Sequence, residues 1–358
     1  MKTKKRKATV TVKDVARESG LSLSTVIHIL GGREQRYREE TCRKVHETAQ
    51  KMGYRRNSSA RAMRSGKFDC VALLMSAEPD ATLIRQEALE GICDELAAHG
   101  MHLNVARLPG QALADEGLVP KLLREWTADG LLVAFAMQIP PSMAERIESS
   151  NLPCVWMRSK RDFDCVYLDE MGAARQAVDH LAKLGHRRIA FADYTYGTQS
   201  LSASHHGLLD FEAGYRERMT EAGLAPQVIR EEDRVERSER AARFRAIFSR
   251  KDRPTALIAM PSTALPAVTA AVSADLRIPE DISIVTMADQ LQDSTGIALT
   301  TLITPEYDIG RQSAALVVQR IKEPGKPLPP RIVKFALAEA GSCAPPPKRE
   351  RSTTATRN

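Results

Sequence analysis

Residues 11–26 read Thr11-Val-Lys-Asp-Val-Ala-Arg-Glu-Ser-Gly-Leu-Ser-Leu-Ser-Thr-Val26. Thr11 followed by Asp14 is a helix-start pattern: the hydroxyl accepts an otherwise unpaired N–H of the first turn, and the carboxylate suits the positive end of the helix dipole. A first helix is predicted from that point, with Val12, Val15 and Ala16 as its apolar stripe. Glu18 to Ser22 then supplies a Gly-containing turn, and Ser22 caps a second helix from Leu23 to about Leu30. Val26, Ile29 and Leu30 face inward at helical spacing. Leu23, Ser24, Thr25 and His28 stay outside near the N-terminal end, where a recognition helix meets base edges. A third helix is predicted from about Glu39 to Met52, with Val45, Ala49 and Met52 inward and Gly53 as its cap. The pattern is that of a helix-turn-helix.

The charge agrees with a DNA-binding head. Residues 1–66 hold 17 Lys and Arg against 6 Asp and Glu, whereas the rest of the 358-residue chain holds 35 against 39. All of the excess basicity is N-terminal, which is the footprint of a nucleic-acid-binding unit on a larger, slightly acidic body. With 43% apolar and 27% charged residues the chain is neither disordered nor collagenous, and at roughly 150 residues per domain it fits two domains plus an appendage. Met1 to Val10 carry basic residues without an apolar run behind them, so no signal peptide is expected, nor any membrane span, and the expected location is the cytoplasm. The six cysteines (Cys42, Cys70, Cys93, Cys154, Cys165, Cys343) form no C-x-x-C pair and have no His at ligand spacing. Free, buried thiols are expected rather than a zinc site or a disulfide framework.

The run 11–26, followed by Gly53-Tyr54-Arg55-Arg56-Asn57, resembles the lac-repressor (LacI/GalR) family of bacterial transcription regulators. The resemblance implies that Thr11, Ser22, Leu23, Ser24, Thr25, His28 and Tyr54 belong to a DNA-binding head. It also implies that Asn57 to Gly66 is a hinge helix that, with Arg56 just before it, brings Asn57, Ser58, Ala60, Met63 and Arg64 to the DNA. That segment has an Asn cap and good helix formers but is too short to be stable alone. In the family an apolar side chain, usually Leu, is driven from this helix into a central base step of the minor groove. Met63 stands in that position, and a thioether can also act as a wedge that unstacks the step. An ordinary linker, with Met63 packed on the body, is the other reading. Two departures stand out. The family usually continues Ser-Arg after Ser24-Thr25-Val26, and here Ile27-His28 replaces a side chain able to grip guanine with two bonds. Arg56 replaces a Pro before the hinge Asn, adding a phosphate-binding charge and removing a rigid φ.

From Phe68 onward, apolar runs alternate with amphipathic stretches: Val71–Met75, a helix at 81–99, Leu103–Val105, Gly130–Phe135, a helix at 142–149, Cys154–Met157, Cys165–Leu168, a helix ending at Gly185, Ile189–Ala192, a helix at 211–222, Ala256–Ala259 and Ile282–Val285. Strands spaced by helices mean βαβ units and parallel sheets. The expected fold is an all-α helix-turn-helix head with a hinge helix, followed by an α/β body of two doubly wound parallel-sheet subdomains, a clamshell like that of periplasmic binding proteins. The expected division is 1–56 head, 57–67 hinge helix, 68–343 body and 344–358 disordered tail. Within the body, about 68–160 pairs with 300–321 and about 165–290 with 331–341, with crossings near 158–164, 289–299 and 321–330. The resemblance extends over this body through Asp169, Ala177–Leu181, Leu184–Ala190, Gly214-Tyr215, Ile278–Ser283 and Leu299–Thr301 followed by Gly310.

Ligands of such bodies sit at strand C-termini, in the cleft between the halves. The candidate cleft residues are Ser76, Asp193, His205, Phe211, Met260, Ala288 and Asp289. The resemblance implies three polar anchors for a sugar or purine, and at their places stand Phe211, Met260-Pro261 and Ala288. Two readings follow. Either the effector is more apolar or is held by Asp289, Asp193 or His205-His206, or the cleft has no small effector. Adjacent His205 and His206 diverge, so no metal is expected there, and no cofactor is expected elsewhere. No G-x-S-x-G, P-loop, H-E-x-x-H or G-x-G-x-x-G occurs, so catalysis is not expected. The expected partners are double-stranded DNA and a second copy of the chain. A homodimer follows from the hinge helix needing a mate and from the two-fold symmetry of such operators. An effector-blind architectural DNA binder is the alternative in another class.

Overall fold

In the computed structural model the described residues are 10–55, 66–76, 84–108, 127–135, 141–198, 206–291, 293 and 296–348. The chain divides into two units, residues 1–68 and 69–358. The predicted hinge segment up to Ser65 lies outside the described residues.

In the head, Thr11 does what its spacing predicts. Its backbone N–H donates to the Asp14 carboxylate at 3.0 Å, and its hydroxyl accepts from the Asp14 N–H at 3.4 Å. Helix α1 (Val12–Ser19) starts there and ends at Gly20, whose φ of 67° admits a left-handed turn. Ser22 caps α2 (Leu23–Leu30) by accepting from the Thr25 N–H at 3.1 Å. A turn of 3-10 helix at Glu34–Arg36, absent from the sequence reading, leads into α3 (Glu39–Lys51). Met52 closes α3, one position before the expected cap Gly53, which follows it at φ 67°. Val15, Ala16, Val26, Ile29, Cys42, Val45 and Ala49 form the core of this unit, with Leu30, Met52 and Tyr54 half-buried against it. Each fully buried Val or Ile contributes about 1.5–3 kcal/mol, enough for three short helices to hold one another.

The body carries two six-stranded sheets. The first contains β1 (Cys70–Ser76), β2 (His102–Leu108), β3 (Gly130–Ala134), β4 (Cys154–Met157), β5 (Cys165–Leu168) and β11 (Arg331–Val333), in the order β11-β5-β4-β3-β1-β2. The second contains β6 (Ile189–Ala192), β7 (Gln227–Ile229), β8 (Ala256–Ala259), β9 (Ser283–Ala288), β10 (Thr300–Ile303) and β12 (Ala336–Ala338), in the order β12-β10-β9-β8-β6-β7. Every pairing is parallel except β10 with β12. The inner strands β1, β3, β4 and β5 of the first sheet and β6, β8, β9 and β10 of the second are largely buried on both faces, which is why they read as continuous apolar runs, whereas the edge strands β2, β7, β11 and β12 are partly exposed. Among the described residues the helices of the body are α4 (Gln86–Ala98), α5 (Pro141–Ser149), α6 (Glu170–Lys183), α7 (His206–Glu221), α8 (Arg240–Phe248), α9 (Pro261–Ser273) and α10 (Glu306–Lys322).

The crossings between sheets differ from those expected. β5 pairs with β4 and β11, so 165–168 belongs to the first sheet, and β10 pairs with β9, so 300–303 belongs to the second. The chain therefore crosses at Asp169, at Thr304-Pro305 and at Lys334-Phe335. The polar stretch 158–164 has the composition of a linker but folds as a tight crossover within one sheet. Arg158 and Asp164 take φ values of 60° and 51°, and the Trp156 and Arg158 N–H groups donate to the carbonyls of Asp164 and Val166 at 2.8 and 2.7 Å. At the true first crossing, Asp169 caps α6 by accepting from the Gly172 N–H at 2.9 Å.

The start of the expected tail is ordered. Ala344 accepts from the His186 imidazole at 2.9 Å and from the Ser283 hydroxyl at 3.1 Å, which fixes the chain there. Residues 349–358 lie outside the described residues. All six cysteines are free, and Cys93 departs from expectation by being exposed.

Candidate nucleic-acid interface and ligand cleft

Ser22, Leu23 and Ser24 are exposed at the start of α2, Leu23 to 38%, and Thr25 is half-buried. The Ser22 hydroxyl lies 3.0 Å from that of Ser24 and 2.8 Å from that of Thr25. This network locks the first turn and its three positively polarised N–H groups, leaving Leu23 and Ser24 outermost. Apolar and hydroxyl side chains there can meet a thymine methyl or a base edge. His28 sits one turn further on and its Nδ1 lies 2.9 Å from the Tyr37 hydroxyl. That partner was not anticipated, because Tyr37 lies beyond α2 in an irregular segment. It leaves only Nε2 of His28 for an outside contact. Thr11 is exposed with its hydroxyl held by Asp14 at 2.7 Å, so it acts first as a cap. Tyr54 differs from expectation: its ring packs on the head core and its N–H donates to the Ala49 carbonyl at 2.9 Å. Lys13, Arg33, Arg36 and Arg38 add exposed positive charge to this unit. Arg56, Asn57, Ser58, Ala60, Met63 and Arg64 lie outside the described residues.

In the body, polar side chains gather at the strand C-termini. Asp193 follows β6 and is fully buried, its Oδ1 accepting from the Thr195 N–H at 2.8 Å. Arg230 follows β7, lies 3.5 Å from Asp193 Oδ2 and donates to Glu212 of α7 at 2.7 Å. Burial alone would raise the Glu212 carboxyl, but hydrogen bonds from Arg230 and Arg216 outweigh it and hold it below the usual carboxylate range. Among the described residues, Nε of Arg230 has no hydrogen-bond partner, although Arg230 is 6% exposed.

A second cluster lies at the Asp169 crossing. Glu170, His206 and Asp210 present ligand-type atoms within 4.8 Å of one another. Burial pushes the Glu170 carboxyl up to about 7 and lowers the His206 imidazole, so burial favours the neutral form of both. Lys160, from the β4–β5 loop, donates to Asp210 at 2.8 Å, and Tyr167 of β5 meets the His206 ring edge-on at 6.3 Å. Arg158 pairs with Glu306 at the start of α10. A third region is a cavity of about 230 Å³ lined by Arg85, Pro261, Thr286, Ala288, Asp289, Thr304 and Glu306. Arg85 precedes α4 on the first sheet and Asp289 follows β9 of the second, and their charges approach to 3.6 Å across this cavity.

These positions change how the expected cleft residues read. Phe211 does not face a ligand space: it is 1% exposed, with its ring 5.4 Å from that of Phe191 in the core. Its neighbour Glu212 is the polar residue of this turn and pairs with Arg230 and Arg216. Met260 is half-buried against the core at the start of α9. Ala288 and Asp289 do line the cavity, and Asp193 lies in the buried ion cluster. Ser76 ends β1, and its side chain, like all of His205, lies outside the described residues. Glu170, Asp210, Glu212 and Arg230 were missed. Glu170 directly follows a helix-capping Asp after a strand, a readable signal, whereas Arg230 follows a three-residue strand too short to see.

The profile for bacterial regulatory proteins of the lacI family matches residues 11–57, and that for a periplasmic binding protein-like domain matches residues 178–343. The chain is similar to catabolite control protein A of Priestia megaterium, at 27% identity over 319 residues, covering 87% of this chain and 92% of that protein. It is also similar to the HTH-type transcriptional repressor PurR of Erwinia tasmaniensis, at 26% identity over 352 residues, covering 95% and 98%. Among solved structures it shares its fold with the lac repressor dimer bound to operator and an anti-inducer, with a TM-score of 0.74, 20% identity and coverage of 94% and 99%.

Proposed function

The chain belongs to the lacI family of bacterial regulatory proteins and is a DNA-binding regulator of transcription, and we propose that it represses as a homodimer on a pseudo-palindromic operator. The observation that carries the reading is the start of α2, where Ser22 caps the helix and Leu23 and Ser24 are exposed on a locked turn beside a basic surface. Such a turn presents fixed side chains to base edges while Lys and Arg neutralise phosphates. Two heads related by a two-fold axis match the two halves of a palindrome. In the family relation drawn above, Met63 is the wedge at the centre of the site, a role that rests on sequence. The protein works in the cytoplasm by binding rather than by catalysis. Among the described residues no helix is long and apolar enough to cross a membrane.

The body is proposed to hold a polar small molecule whose unequal affinity for two arrangements of the halves changes DNA binding. What favours this over a ligand-blind DNA binder is the set of buried charged groups at the strand ends, above all Asp193, Arg230 and Glu212. Retaining buried ions is costly unless they are paired or used. The test is selection from a random double-stranded DNA library by the full chain, with binding then measured against salt. The expected result is a pseudo-palindromic consensus bound by two chains, weakening steeply with salt. Binding without a consensus, or by one chain per site in light scattering, would sink the dimeric repressor. A thermal-shift screen of sugars, sugar phosphates and nucleobases, repeated on the operator complex, tests the ligand.

A further inference from the structure

Glu170 is the first residue of α6, and His206 and Asp210 stand one turn apart on the first turns of α7, so both helix starts point their side chains at one place. The ligand atoms of the three lie within 4.8 Å of one another. Glu170 is 8% exposed, and its Oε2 has no hydrogen-bond partner among the described residues. A buried carboxylate oxygen left without a partner is costly, and a cation is the partner it suits best. We propose that Glu170, His206 and Asp210 bind a divalent transition-metal ion at the junction of the two halves of the body.

The donor set argues for the class of ion. One imidazole nitrogen and two carboxylates suit Zn²⁺ or Mn²⁺, whereas Ca²⁺ and Mg²⁺ ask for all-oxygen surroundings. Lys160 is the cation that a metal must compete with, since its ammonium lies 2.8 Å from Asp210. Lys160 and Tyr167 both come from the first-sheet side, while the three ligands sit on helices α6 and α7, which pack together. An ion that takes Asp210 from Lys160 therefore loosens a tie between the halves and acts as an effector of the body. That regulatory consequence rests on the proposed function, whereas the binding itself does not.

The test is calorimetric titration of the untagged, chelator-treated full chain with ZnCl₂ and MnCl₂, alongside Glu170→Gln, His206→Gln and Lys160→Gln, with circular dichroism to confirm folding. One ion per chain is expected, bound at least tenfold more weakly by Glu170→Gln and His206→Gln. Lys160→Gln, which removes the competing cation, should bind more tightly, a gain that a purely structural ion cluster would not give. Should Glu170→Gln not fold, His206→Gln at its half-buried position decides. Native and His206→Gln proteins binding alike, or no saturable binding up to millimolar ion, would overturn the proposal. Operator binding is measured on the same metal-free samples, so loss of DNA recognition counts against the proposed function and not against the metal site.

Discussion

His28 shows how one side chain is prepared for a task by another. The Tyr37 hydroxyl at 2.9 Å from Nδ1 fixes the ring and leaves Nε2 as the atom proposed to meet a base. A single hydrogen bond from a held imidazole discriminates a base by about 1 kcal/mol, the low end for a good base contact. His28→Ala is therefore expected to relax preference at one base pair of each half-site and to leave the rest of the consensus intact. Tyr37→Phe should relax the same position by a smaller amount, and the double variant should do no more than His28→Ala alone, because the two act as one unit. Competition binding with operators varied one base pair at a time measures all three, and uniform loss across positions would show that the imidazole reads no base. Met63→Ala is expected to weaken operator binding and to reduce bending in a circular-permutation gel, since an alanine cannot hold an unstacked step open.

Helices α4 and α10 cross so closely that glycine is required on both. A Cβ at Gly310 would stand 2.0 Å from the Ala88 carbonyl oxygen, and one at Gly91 2.2 Å from that of Tyr307, and backbone atoms cannot swing away as side chains do. Gly310→Ala must part the helices and should cost about 1–3 kcal/mol or more, a fall of several degrees in the melting temperature at roughly 2–4 °C per kcal/mol. Gly325→Ala, with nothing within 4 Å, is the control and should melt close to the native protein. Sequence carried such elements unevenly. β4, β5, β6, β8 and α2 are legible to the residue because sharp apolar runs or caps bound them. β7 has three residues, α8 is rich in arginine, and α9 opens with Pro261 and holds Pro266, so each lacked the signal that marks its type. The capped turn at the start of α2, proposed to read DNA, was legible because its residues are neighbours in the chain. The cleft was legible in part: Asp193, Ala288 and Asp289 stand at strand ends, whereas Glu212 and Arg230 join Asp193 only once the sheet is built.

At the scale of the whole molecule, the starts of the central strands β8 and β9 and the segment at Ala344 are tied at His186. The imidazole is 2% exposed and lies 3.0 Å from the hydroxyls of Thr255 and Ser283 and 2.9 Å from the Ala344 carbonyl. A carbonyl only accepts, so Nε2 carries the proton and Nδ1 accepts from Thr255. Burial holds this imidazole below its ordinary value of 6.5, outweighing the bond to Ala344. The unfolded chain then binds the proton more readily than the folded one, so this contribution is fully present above about pH 6.5 and is lost as pH falls through the folded value, by at most about 1.4 kcal/mol per pH unit. Glu170 runs the other way, its raised carboxyl favouring the folded state below about 7, so a single melting curve against pH mixes the two. Comparison with His186→Gln separates them, since glutamine keeps a donor for Ala344 and cannot titrate. The native protein should exceed the variant in stability near pH 7.5, and that margin should shrink steadily between pH 6.5 and 5. Denaturant unfolding at each pH measures it. A margin that stays constant would mean that the imidazole is equally protonated in both states, and the tie at Ala344 would owe nothing to its neutral form.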